Sequence, residues 1–301
     1  MSQELAMRKK YNKKEVLTAF LFLLPTFAVF LMFNYYPLVD SLRISFTSWK
    51  FYGKPKYIGF QNYINILKNK TFWKILLNTL HFAFFSTLIS VLLGLFLAII
   101  LFGKNGKFGK GIKTLLFIPN ITTASAIAIL WIWIFNPVNG LMEIIYSAFG
   151  SQSPQWLLDA KYAKWAIISL SVWRNFGYAM TIYIAGLALI SDSVYESATI
   201  DGATPFYQAI KITIPLLRPS TIFLSLTTFI QNMKVFDIVQ VMTAGGPSDS
   251  TNVLNLYIYQ QAFISLRAGY GAALSVIQFA LLLIITIIQR RVTKDDGGLY
   301  D

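Results

Sequence analysis

A chain of 301 residues that is 55% hydrophobic, 16% aromatic and only 13% charged carries about half the charge of a soluble domain. Its apolar residues come in blocks of about twenty, the length a helix needs to cross ~30 Å of hydrocarbon, which excludes a soluble two-domain protein. The net charge of +13 lies in short segments between the blocks, so it points to the lipid bilayer surface and not to nucleic acid, while the absence of cysteine excludes disulfides and thiolate metal sites.

The blocks predict an all-α polytopic membrane protein with about six transmembrane helices. One permeating domain covers 16–289, between an N-terminal tail at 1–15 and a C-terminal tail at 290–301. The first helix falls at 16–36 and contains Pro25, which membrane helices tolerate when neighbours satisfy the freed carbonyl. Its leader, MSQELAMRKKYNKK, is too long and too acidic for a signal-peptide start, so the helix reads as retained. The second helix falls near 75–102, the third near 114–135, the fourth near 164–190, the fifth near 213–237 and the sixth near 270–289. Pro37, Pro137 and Gly245-Gly246-Pro247 mark expected helix exits.

Six crossings put both termini on one side. Arg8, Lys9, Lys10, Lys13 and Lys14, then Lys104, Lys107, Lys110 and Lys113, then Lys211, Arg218, Arg290, Arg291 and Lys294 crowd the short segments of that side. The opposite loops, which are longer, hold fewer basic residues, so the termini are expected in the cytoplasm. Trp49, Trp73, Trp131, Trp133, Trp156 and Trp165 fall near predicted outer helix ends, where an interfacial aromatic belt accounts for them.

Between the fourth and fifth helices, residues 191–212 hold Glu196-Ser197-Ala198-Thr199-Ile200-Asp201-Gly202-Ala203. Ala198, Ala203, Phe206 and Ile210 recur at helix-like spacing, as in short helices along a membrane surface. Gly202 allows a turn between two of them, and Pro205 can open the second, where its missing N–H costs nothing. On these grounds alone the segment is equally a capped surface loop.

The run ESATIDGATPFYQAIKITIPLLRP resembles the EAA loop of ATP-binding-cassette importer permeases. Glu196 and Ala198 stand at the family's Glu and second Ala, Ser197 replaces the first Ala with another small residue, and Gly202 stands at the Gly. Ile212-Thr213-Ile214-Pro215 matches the I-x-L-P element. Further similar segments are Ser45-Phe46-Thr47, Gly59-Phe60-Gln61-Asn62-Tyr63, Asn78-Thr79, Gly94-Leu95 with Ala98, Phe135-Asn136-Pro137 with Gly140, Ala185-Gly186-Leu187, and Phe236-Asp237 with Thr243-Ala244-Gly245-Gly246-Pro247. Together they resemble the carbohydrate branch, related to maltose and glycerol-phosphate permeases, and within it the first permease of a heterodimeric pair.

The resemblance implies a type I importer permease fold in the plasma membrane of a bacterium. It implies a coupling helix formed by Glu196, Ser197, Ala198, Asp201, Gly202, Ala203 and Pro215. Its partners would be a second homologous permease subunit, an ABC ATPase dimer, an extracellular sugar-binding protein and a sugar substrate. ATP and Mg would bind the partner ATPase, with no cofactor or metal in this chain. The sequence agrees on the last point: Gly106 to Gly111 is followed by Ile112 where a phosphate loop needs Lys. An amino-acid or peptide permease shares the coupling loop but fits the Gly-Gly-Pro region less well. An intramembrane transferase would need a nucleophile or metal cluster, and the chain has one His and no Cys.

Ionisable groups inside membrane helices are expensive and therefore functional candidates. Arg174, flanked by Trp173 and Asn175, suits a sugar path in which an aromatic face stacks and polar groups bond hydroxyls. The alternative is a structural pair with Asp237 or a backbone carbonyl. Asn232, Lys234 and Asp237 extend this candidate path, although Lys234 and Asp237 are spaced to pair one turn apart on the fifth helix. His81, with no second ligand nearby, is expected to be structural.

Overall fold

The computed structural model describes residues 13–104 and 106–294. The basic cluster Arg8, Lys9 and Lys10, the rest of 1–12 and the end of the C-terminal tail lie outside the described residues.

The first apolar block does not stop at Tyr36. Helix α1 (Lys13–Phe30) passes through a π turn at Leu31–Tyr35 into α2 (Tyr36–Ser45). The wider turn, closed by the Tyr36 N–H on the Leu31 carbonyl, delivers Pro37 to the first positions of the next segment. There its missing N–H breaks no bond, so the expected exit at Pro37 becomes a continuation. After a short helix α3 (Gln61–Lys68), helix α4 (Lys70–Leu101) begins five residues earlier than its apolar block. Asn69 explains the early start: its Oδ1 accepts the Thr71 N–H at 2.9 Å, a side-chain N-cap.

The third predicted span is broken. Helix α5 (Lys107–Ile121) and helix α6 (Ala124–Ile134) meet at 103° across Thr122 and Thr123. Pro119 inside the last turn of α5 removes a ladder bond just before the break. After α7 (Leu141–Ala148), helix α8 (Ala160–Leu187) is again N-capped, by Asp159 Oδ1 on the Lys161 N–H at 2.8 Å.

A 74° bend leads into α9 (Asp192–Ile200), then α10 (Pro205–Gln208), a π turn at Ala209–Thr213 and α11 (Ile214–Leu216). Helix α12 (Arg218–Met233) follows, and it ends four residues short of the predicted fifth span. Phe236 leaves helical geometry at φ −142°, and Asp237 opens a separate helix α13 (Asp237–Met242). Helix α14 (Leu254–Tyr259), a third π turn at Gln260–Ile264 and α15 (Ala268–Lys294) complete the chain. Three helical stretches are long and apolar enough to cross a membrane alone, and three bent pairs bring the total to as many as six spans among the described residues.

Helices α4 and α8 form the most extensive pair, with α12 against α4, α5 against α8 and α15 against α2. Small residues let the backbones close up, the usual device where lipid supplies no hydrophobic drive between helices. A Cβ on Gly94 would press on Ala179 of α8, and one on Gly177 would strike the Leu116 carbonyl of α5. Gly177→Ala is therefore expected to destabilise the bundle by about 1–3 kcal/mol, the cost of overpacking, measurable as a lowered unfolding midpoint in detergent.

Several segments singled out in the sequence fasten irregular backbone to this bundle. Asn62 Nδ2 donates to the carbonyls of Ser45 (2.8 Å) and Thr47 (2.9 Å). Asn78 Nδ2 donates to those of Asp249 (2.9 Å) and Asn252 (3.2 Å), and the Leu254 N–H donates to Thr79 Oγ1 at 2.9 Å. The Gly-Gly-Pro segment turns through Gly245 at φ +90°, a left-handed conformation that glycine adopts without strain. Buried amides thus satisfy loop carbonyls that would otherwise be orphaned in a dry interior.

Candidate functional site

Two regions gather the residues predicted to carry function. The first is the elbow between α8 and α12. Helix α9 closes with the Ala203 N–H on the Ala198 carbonyl (2.9 Å) and the Gly202 N–H on the Thr199 carbonyl (3.0 Å). Gly202 sits at φ +81°, which completes a Schellman C-cap. Thr204 then caps α10 by accepting the Tyr207 N–H, with Pro205 at the first helical position. Gln208 Nε2 ties the two short helices together through Thr199 Oγ1 (3.0 Å) and the Ala203 carbonyl (3.1 Å), and the Tyr195 hydroxyl meets Thr213 Oγ1 at 3.1 Å. The elbow is a braced solid with its own capping.

Ala198 is buried beneath this brace, whereas Glu196, Ser197, Asp201, Gly202 and Pro215 are exposed and Ala203 is half-buried. A depression of about 470 Å³ is bordered by Asp201, Gly202, Ala203 and Tyr207. Ile200 and Phe206 project beside it, 86% and 76% exposed. Apolar side chains flanking an acidic tip form a surface suited to a protein partner.

The second region is a polar cavity of about 520 Å³ where α5, α6, α8 and α12 meet the break before α13. It brings together five of the six predicted path residues, Arg174, Asn175, Asn232, Lys234 and Asp237. It adds Asn120, Ser171 and Gln231, which sequence reading missed. Ser171 had a usable signal, lying one turn before Asn175 on the same face. Asn120 and Gln231 are uncharged and offered none.

Trp173 is not part of the cavity. It packs on Trp131 with ring centroids 5.7 Å apart, because successive residues on a helix point about 100° apart. Nor do Lys234 and Asp237 form the expected pair: α12 ends at Met233, just before Lys234, Asp237 opens the next helix, and no ion pair joins either to the other or to Arg174. Lys234 is exposed at the helix end, its carbonyl held by Asn255 Nδ2 at 2.5 Å. Arg174 Nε is buried and has no hydrogen-bond partner. Below it runs a chain across three helices: Asn175 Nδ2 donates to Ser171 Oγ (3.3 Å), Ser171 Oγ to Asn232 Oδ1 (3.0 Å), and Asn232 Nδ2 to Thr87 Oγ1 (3.1 Å). Asn232 is therefore anchored, while the charged groups above it are left open to a ligand.

The remaining candidates fall outside these regions. His81 packs at a tilt against Phe85 at 4.6 Å and meets Trp165 edge-on at 5.5 Å. No group of three His, Asp or Glu side chains suited to a metal occurs among the described residues. Of the tryptophans assigned to a belt, Trp131 and Trp156 instead pack inward, both in ring contact with buried Phe135.

A bent-helix membrane bundle with a polar cavity and a braced external elbow defines a transport subunit. The chain belongs to the family described as binding-protein-dependent transport system inner membrane components, which it matches over residues 90–295. It is 32% identical to a probable ABC transporter permease of Pyrococcus horikoshii, over 89% of this chain and 92% of that one. It is 31% identical to a trehalose/maltose transport system permease of Thermococcus litoralis, over 98% and 99% of the two chains. A crystal structure of a bacterial ABC transporter involved in the import of the acidic polysaccharide alginate shares the fold at TM-score 0.84, 22% identity, covering 95% of this chain and 98% of that one.

Proposed function

We propose that this chain is the permease subunit of an ATP-driven importer that translocates a sugar delivered by an extracellular binding protein. The polar cavity carries the reading. Its uncharged amides and the Ser171 hydroxyl match sugar hydroxyls, and Arg174 offers a buried donor with no partner of its own. The cargoes named for the relatives, trehalose or maltose and alginate, are saccharides and favour this over an amino-acid or peptide cargo.

The elbow is the proposed ATPase contact. An ATPase dimer holding ATP and Mg would receive Glu196, Asp201 and Gly202 in a groove, and a second homologous permease would complete the passage. The elbow and both termini would then face the cytoplasm of a bacterium. Closure of the ATPase dimer would move the elbow as a lever and shift the permease pair from inward-open to outward-open. Bracing by Gln208 and Tyr195 suits a part that transmits force, because a loose loop would absorb it.

The test is uptake by cells carrying the full transporter, with labelled saccharides and labelled amino acids offered separately. Accumulation of a saccharide that ceases on deletion of this chain is expected. Loss of amino-acid uptake alone would overturn the reading of the cargo.

A further inference from the structure

Outside the cavity, five aromatic rings form an unbroken series. Trp49 and Phe51 lie 5.2 Å apart, Phe51 stacks on Phe263 at 5.6 Å, Phe263 meets Tyr259 at 5.7 Å, and Tyr259 meets Phe236 at 5.4 Å. Phe236 also borders the polar cavity. The series thus runs from the hairpin after α2, closed by the Ser48 N–H on the Lys56 carbonyl and the Ile58 N–H on the Phe46 carbonyl, to the lining of the proposed sugar site, and each step is close to the length of one sugar ring.

Its backbone is unusual at two points. Phe51 adopts φ +65°, a region where a bulky side chain is an outlier and which clusters at ligand-binding and other functional sites. Phe263 lies in the π turn Gln260–Ile264, a distortion frequent at functional sites. The hairpin is fastened, with the Gly269 N–H donating to the Trp49 carbonyl at 3.0 Å. Gly269 has no room for a side chain, since a Cβ there would strike the Thr47 carbonyl.

Despite these contacts Phe51, Phe263 and Tyr259 remain 43%, 58% and 38% exposed. Exposed aromatic rings offer a pyranose an electron-rich face against which its C–H groups can pack.

We propose that Trp49, Phe51, Phe263, Tyr259 and Phe236 form an aromatic track that carries saccharide rings to the cavity lined by Arg174. The proposal rests on the sugar reading of that cavity. Such a track holds a chain of rings by several weak contacts at once, so it favours oligosaccharides over monosaccharides.

The full transporter in proteoliposomes, supplied with its binding protein, tests this with a labelled saccharide that the wild type imports. Phe51→Leu and Phe263→Leu remove the aromatic face and keep apolar bulk. Each is expected to raise KM for an oligosaccharide roughly two- to tenfold, with less effect on a monosaccharide. Phe263→Tyr should restore wild-type values, and Phe108→Leu, far from the track, should change nothing. A wild-type KM for both leucine variants overturns the track while the sugar assignment stands. Loss of the assembled complex from either leucine variant also overturns it, by showing a subunit-packing face. Failure of the wild type to import any saccharide removes the underlying reading instead.

Discussion

Gly202→Asp is expected to cut ATP-coupled uptake about tenfold or more while the protein inserts and accumulates normally. No atom lies within 4 Å of the place a Cβ would occupy at Gly202, so the chain itself has room for the new side chain. At φ +81° the backbone is left-handed, and aspartate tolerates that region better than most residues. The fold therefore has little reason to suffer. The proposed partner groove over the elbow does, because an unpaired carboxylate buried in a protein interface costs several kcal/mol. Uptake measured beside membrane-inserted protein separates the two effects. Normal uptake in this variant would mean that Gly202 touches nothing that drives transport.

Arg174→Met should lower saccharide uptake roughly ten- to hundredfold, equivalent to the ~1.5–3 kcal/mol of a charge-assisted hydrogen bond. Because Arg174 Nε has no partner, its removal orphans no group there and stability should hold. Asn232→Ala offers the contrast. That change leaves Ser171 and Thr87 without their amide partner inside the bundle, and about 1–3 kcal/mol of stability should go with it. Transport kinetics and detergent unfolding, run on both variants, distinguish a ligand contact from a structural strut. Equal stability losses in the two would show that Arg174 is part of the scaffold.

Much of the fold was legible because the bilayer imposes a simple length rule on apolar blocks. The α4 and α15 blocks stand out for that reason. What escaped were the interruptions. Nothing in the residues from 114 to 135 announces a 103° bend at Thr122, since Pro119 is compatible with a gentle kink. The end of α12 at Met233 was equally hidden, because Lys234 and Asp237 have the spacing of a helical pair, whereas the helix stops before both. The elbow was easier to read, as Gly202 and Pro205 write their roles locally; the cap supplied by Thr204 emerged only in the structure. Within the cavity, the charged residues were conspicuous by their cost in a membrane. Asn120, Ser171 and Gln231 were not, and Trp173 was misplaced by reading neighbours in sequence as neighbours on a face.

The same contrast explains the loop after α13. Its Gly-Gly-Pro run is visible as a motif, but the reason for it is remote. Asn78 and Thr79, more than 170 residues away, supply the hydrogen bonds that hold it.

The chain contains no cysteine, so a single introduced thiol reports on one place only. Ser197→Cys puts that thiol on the exposed surface of α9. In intact cells it should resist a membrane-impermeant maleimide, and in opened vesicles it should crosslink to an ATP-hydrolysing subunit. Labelling from outside the cell, or crosslinked material that never contains an ATPase, would contradict the account.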